Sequence, residues 1–182
     1  MKLIETALPE VKIIEPAVFE DDRGFFLEVW NAQAYAALGM DLTFVQDNHS
    51  RSAKGVLRGL HYQMVRPQGK LVRVTSGRAF DVAVDMRRSS PRLGQWVGVE
   101  LSADNKRLFW IPPGFAHGFL ALEDNTDFLY KCTDFYAAQH ERTLLWSDPA
   151  LGIDWPMDQF TQPTVTMKDA AGALFADAEL YP

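Results

Sequence analysis

From Leu71 onward the chain alternates apolar and polar residues with a period of two, the pattern of strands that bury one face. LVRVT (71–75) and RAFDVAVDMR (78–87) are two such runs, and the Ser76-Gly77 pair between them predicts a hairpin. In the second run Phe80, Val82, Val84 and Met86 fall on one face, with Asp81, Ala83 and Asp85 on the other. QWVGVEL (95–101) predicts a strand closed by the turn cluster SADNK (102–106), and RLFWI (107–111) runs into Pro112-Pro113-Gly114. GFLALE (118–123), DFLYKCTDFY (127–136) and RTLLW (142–146) continue the pattern, and FVQDNHSRS (44–52) ends a strand on polar residues.

Helical signals are few. NAQAYAALGM (31–40) is rich in alanine, and Gly39 stands where a left-handed C-terminal cap is expected. KDAAGALFADA (168–178) predicts a second short helix. There is no internal repeat, linker or low-complexity stretch. Many short strands with turn signals between them predict an all-β sandwich or barrel, with a jelly roll among the candidates. A length of 182 residues suits one domain, residues 1–182, with a full core.

Composition narrows the function. Apolar residues make up 47% and charged residues 23%, ordinary values for a globular chain, and the net charge is −6. That balance argues against a general nucleic-acid or membrane-surface role, which needs a basic face. It leaves room for a small anion held by a local cluster of Arg and Lys. The one cysteine, Cys132, rules out an intramolecular disulfide and suits the cytoplasm. Residues 1–10 do not read as a signal peptide, and no apolar run approaches the roughly 20 residues needed to span a bilayer.

The four histidines, His49, His61, His117 and His140, include no pair two residues apart on one strand face, so no metal site is expected. There is no G-x-S-x-G elbow, P-loop or G-x-G-x-x-G. What stands out is the density of polar residues in strand contexts: Gln46, Asp47, Asn48 and His49; Arg58 and His61; Lys70; Tyr130, with Tyr136 on the same parity. Taken singly, a buried His reads as a satisfied core residue, a strand Tyr as packing, and a Lys at a strand start as a solvated edge. Several of them pointing into one barrel would cost too much desolvation without a ligand. Such a set suits proton abstraction beside a carbonyl: a histidine base, a carboxylate to orient it, a cation for the enolate, and a phenol to return a proton.

EDDRGFFLEVWN (20–31), FVQDNHSRSAKGVLRGLHYQ (44–63), residues 68–119, FLYKCTDFY (128–136) and VTMKDA (165–170) together resemble the dTDP-4-dehydrorhamnose 3,5-epimerase family over nearly the whole chain. The resemblance implies a cupin-type double-stranded β-helix, or jelly roll, that works as a homodimer without metal or other cofactor. It implies inversion of C3 and C5 of dTDP-4-dehydro-6-deoxy-D-glucose through enolates, giving dTDP-4-dehydro-L-rhamnose. By resemblance His61 is the general base, Asp169 its supporting carboxylate, Tyr130 the general acid and Lys70 the cation near the C4 oxygen. Arg58 and His117 would hold the ligand. Phe19, Arg23, Glu28, Gln46, Asp47 and Asn48 would contact the substrate, the DRGFF segment being lent by the partner subunit. Tyr136 would pack beside the sugar, with Glu141 and Lys168 in peripheral contacts. Tyr62 stands where the family often has Phe. PPGFAH looks like the tail of a metal-cupin pattern whose upstream HxH half is missing.

In a regular strand Arg58 and His61 would point to opposite faces, yet the resemblance wants both in one site. Gly59 between them predicts a bulge or strong twist, with Leu57 or Leu60 left to pack the core. The same residues suit a relative that inverts only one carbon of a related dTDP-4-keto-6-deoxysugar. Further alternatives are a non-catalytic cupin that binds a nucleotide or sugar and a metal-dependent cupin dioxygenase or isomerase.

Overall fold

The computed structural model describes residues 1–158 and 161–182. Its strands are β1 (Lys2–Glu5), β2 (Lys12–Glu15), β3 (Val18–Asp21), β4 (Gly24–Leu27), β5 (Gln46–Ser52), β6 (Leu57–Gln63), β7 (Lys70–Ser76), β8 (Arg78–Asp85), β9 (Trp96–Ser102), β10 (Leu108–Ile111), β11 (Phe115–Ala121), β12 (Thr126–Cys132) and β13 (Glu141–Thr143). In the order β1-β2-β10-β7-β12-β5 six of them form one antiparallel sheet, and β13-β6-β11-β8-β9 form a second. β3 and β4 pair only with each other, as a hairpin outside both sheets.

The two sheets face each other across a core that the period-two pattern builds. Val72 and Val74 of β7, Phe109 and Ile111 of β10 and Phe128 of β12 meet Ala83 of β8, Val99 and Leu101 of β9, and Phe119 of β11. Phe119 and Phe128 stack face to face at 4.0 Å. This all-β jelly-roll sandwich is the expected fold. Packing is apolar toward β9 and β10; toward β5 and β6 the inward side chains turn polar and a cleft opens.

Two further clusters cover the outer faces. Helix α1 (Ala32–Ala37) lays Tyr35 on the six-stranded sheet; Asn31 caps it by accepting from the Gln33 and Ala34 N–H groups, and Gly39 follows at φ +80. On the five-stranded sheet Val82, Val84 and Met86 pack with Leu57, Leu60 and the C-terminal segment through Leu144, Trp155 and Tyr181. Hence β8 buries both faces. Its Asp81 and Asp85 face is interior, not solvent, which corrects the half-buried reading of that strand.

Three boundaries also differ. The strand expected over 127–136 stops at Cys132, where Asp134 turns its carboxylate onto the Phe135 N–H (2.7 Å) in place of a ladder bond. The strand expected over 142–146 is β13, shifted toward Glu141. The helix expected over 168–178 is one turn, α2 (Met167–Ala170), because Gly172 packs directly on the backbone of Leu144 and Leu145 and Ala173 bridges to Leu144. A separate 3-10 turn follows at Phe175–Asp177.

Candidate active site

β6 supplies the first two groups. His117 pairs with His61 while Phe119 pairs with Arg58, so β6 spends one residue more than β11 over this stretch. The extra residue is the bulge expected at Gly59, where φ is +115 and the Gly59–Leu60 peptide is cis. A side chain at Gly59 would meet Gly118 Cα and His117 O at 2.6 Å, so the two glycines let the strands close on each other. Leu57 and Leu60 consequently both turn to the outer core, and Arg58 and His61 both line the cleft.

The cleft has two lobes that share His61, Lys70 and Tyr130, with volumes of about 470 and 320 Å³. At their junction His61 Nε2 lies 2.6 Å from Asp169 Oδ1, and Asp169 is buried. Thr166 caps α2 by accepting from the Asp169 N–H, which fixes the carboxylate's place at the helix start. With Nε2–H donated to Asp169, the neutral imidazole carries its free lone pair on Nδ1. Burial pulls the His61 pKa below its ordinary 6.5, against the opposing pull of Asp169.

Lys70 starts β7 on the parity of Val72 and Val74, and burial lowers its pKa. Tyr130 of β12 has its pKa raised, chiefly by burial, so its phenol keeps its proton. His117 Nε2 lies 2.6 Å from Asp81 Oδ1, a buried pair on neighbouring strands, and burial raises the Asp81 pKa. Asp81 is a component the sequence reading did not assign. The signal was two acids, Asp81 and Asp85, four residues apart on one face of an otherwise apolar strand. Asp81 Oδ2 and Ser50 Oγ are buried with no hydrogen-bond partner among the described residues.

The larger lobe holds Arg58, His117, Lys168 and Asp169. Arg58 is oriented by Ser52 Oγ (3.1 Å) and the Arg51 carbonyl (3.3 Å), which leaves guanidinium N–H donors over. The smaller lobe holds Gln46, Asn48, Tyr136 and Glu141. Gln46 donates to Asn48 Oδ1 (3.1 Å) and accepts the Tyr136 N–H (2.9 Å). Tyr136 lies past the end of β12, so strand parity is not what brings it in; this bond and its hydroxyl's bond to Glu141 Oε2 (3.0 Å) do. Glu141 Oε2 also takes Lys168 Nζ at 2.5 Å.

Four expected contacts lie elsewhere. Asp47 alternates with Gln46 and Asn48 along β5, projects outward and pairs with Lys131 (2.9 Å). Phe19 and Arg23 are on the β3–β4 hairpin, where Arg23 binds Asp21, and Glu28 accepts from Asn31 (3.0 Å). None of the four lines the cleft of its own chain. Tyr62, one residue from His61, borders the smaller lobe and donates its hydroxyl to the Glu179 carbonyl (2.8 Å). Among the described residues no three His, Cys, Asp or Glu side chains converge as metal ligands, and no helix is long and apolar enough to cross a membrane.

Comparison with known proteins places this geometry. The family profile described as dTDP-4-dehydrorhamnose 3,5-epimerase matches residues 5–177. A dTDP-4-dehydrorhamnose 3,5-epimerase of Pseudomonas aeruginosa is 58% identical, with 100% of each chain covered. The crystal structure of a dTDP-6-deoxy-D-glucose-3,5-epimerase from Legionella pneumophila in complex with dTDP-4-keto-L-rhamnose superposes with a TM-score of 0.95 at 53% identity, covering 99% of this chain and 97% of that one. A 3'-monoepimerase from Streptomyces bikiniensis in complex with dTDP-quinovose is more distant, at 31% identity and a TM-score of 0.88 over 94% of this chain and 87% of that one. With its cupin-type jelly roll, this chain is an isomerase of the dTDP-4-dehydrorhamnose 3,5-epimerase family.

Proposed function

We propose that the cleft binds dTDP-4-dehydro-6-deoxy-D-glucose and inverts C3 and C5 through enolates, giving dTDP-4-dehydro-L-rhamnose. The observation that carries this is the His61–Asp169 pair set in one cleft with Lys70 and Tyr130. His61, neutral at neutral pH, takes the proton from the carbon beside the C4 ketone, and Asp169 stabilises the imidazolium that forms. The electron pair moves onto the C4 oxygen, where the Lys70 ammonium meets the developing charge. Tyr130 returns a proton from the opposite face, so no atom is gained or lost and only configuration changes. His117, held by Asp81, positions the sugar.

Arg58 and Lys168 take the diphosphate, for which the guanidinium's free donors are suited. Gln46, Asn48 and Tyr136 hold the rest of the ligand. The unpartnered Ser50 Oγ supports a polar ligand in the larger lobe, since a buried hydroxyl is rarely left alone.

We read residues 1–182 as one cytoplasmic domain that works as a homodimer. The support is the β3–β4 hairpin, whose Phe19, Phe25 and Phe26 are 64%, 59% and 68% exposed, far more than a lone chain tolerates in one ribbon. Packed on a second copy, that hairpin carries Phe19 and Arg23, with Glu28 beside it, into the partner's cleft.

The test is the product's configuration by NMR. Inversion at both carbons is expected. Inversion at one alone would make the chain a single-carbon epimerase, the activity named for the more distant Streptomyces 3'-monoepimerase.

A further inference from the structure

Glu141 stands between two groups the mechanism uses separately. On β13 Thr143 pairs with His61 and Glu141 with Gln63, so Glu141 and His61 share one face as diagonal neighbours. Glu141 Oε1 lies 4.0 Å from His61 Nδ1, the nitrogen that carries the free lone pair. The other oxygen, Oε2, is held by Lys168 at 2.5 Å and by the Tyr136 hydroxyl at 3.0 Å. Lys168 is half exposed and lines the larger lobe beside Arg58, whereas the Glu141 side chain is only 16% exposed. Glu141 is therefore a partly buried anion neutralised by a more exposed cation.

We propose that Glu141 is a positioning residue that couples diphosphate binding to base strength: a bound diphosphate draws Lys168 away, and the freed carboxylate then favours the protonated form of His61. The inference rests on the reading that this cleft takes a nucleoside diphosphate sugar. Tyr136 keeps Glu141 in place once Lys168 has moved, because its hydrogen bond does not depend on the lysine.

The other charged groups around His61 do not duplicate this. Asp169 on α2 binds Nε2 in either state. His117 on β11 is turned to Asp81 of β8, and Arg58 on β6 itself is tied to Ser52 and Arg51. Lys70 on β7 and the Tyr130 phenol on β12 face His61 across the cleft. Only the Glu141–Lys168 pair changes partners when an anion enters. Its two members act on His61 in opposite senses, the carboxylate raising its pKa and the ammonium lowering it. In the free enzyme they offset each other; in the loaded enzyme the base is stronger when the sugar carbon is in reach.

The test is titration of ¹³C-labelled histidine by NMR, with the His61 resonance assigned by its loss in His61→Asn. It is run on wild type, Glu141→Gln and Lys168→Met, free and saturated with dTDP. The expected result is an upward shift of the His61 pKa when dTDP binds wild type, a smaller shift in Glu141→Gln, and an already raised pKa in free Lys168→Met. An equal shift in wild type and Glu141→Gln would overturn the coupling, as would a free Lys168→Met enzyme that titrates like wild type. Solvent exchange at the sugar carbons, measured on the same wild-type sample, separates this from the function: an enzyme that exchanges protons without the shift refutes the coupling alone.

Discussion

His61 and Asp169 are 108 residues apart and meet at 2.6 Å, so the chemistry of the base depends on a helix of one turn. Asp169→Asn removes the charge, and weakens the hydrogen bond, that hold the His61 pKa up. The acid limb of kcat/KM reports protonation of the base in the free enzyme; it lies below pH 6.5 in wild type and moves lower still in Asp169→Asn, while the plateau falls by roughly 10²–10⁴. His61→Ala loses turnover by at least that factor and keeps dTDP binding, which calorimetry checks against the assay. Lys70→Met lowers kcat by roughly 10²–10³ through the lost enolate contact, with product release from saturated enzyme as the readout. Much of this was legible: His61, Lys70, Tyr130 and Arg58 are polar residues where a strand should be packing. Asp81 was not, because an acid opposite an apolar face reads as solvated until the second sheet is known to cover it. Asp47 was carried in with Gln46 and Asn48, although alternation along β5 sends it outward.

Arg58 and His61 reach one cleft only because β6 bulges where Gly59 meets Gly118. Gly59→Ala would need a non-glycine residue at φ +115 and would press a methyl on the backbone of β11. Backbone strain alone costs about 1–3 kcal/mol, which a lowered urea midpoint at unchanged slope would report. Activity should fall further than the folded fraction, because the bulge aims both side chains. The odd spacing of Arg58 and His61 with a glycine between them made this bulge legible. The end of the second helix was not, since Gly172 acts through a partner distant in sequence, the Leu144–Leu145 backbone.

At the scale of the whole molecule, the proposed homodimer would seat the hairpin's three exposed phenylalanines on a second copy and bring Phe19, Arg23 and Glu28 to its cleft. Sedimentation should give twice the 20.6 kDa chain mass. Arg23→Ala and His61→Ala should each be poorly active alone, yet mixing them after subunit exchange should restore activity, because one hybrid cleft then has both residues. A monomer, or no recovery on mixing, would put the hairpin to some other use. The all-β sandwich or barrel followed from the period-two pattern and the jelly roll from the family resemblance, whereas the hairpin's destination lies outside a single chain's geometry. The central claim, that His61 works through enolates on both sides of the C4 ketone, is tested most directly in deuterated water. Incubation with dTDP-4-keto-6-deoxyglucose should place deuterium at C3 and at C5, and His61→Ala should abolish both. Product formed without solvent deuterium at either carbon would contradict the account.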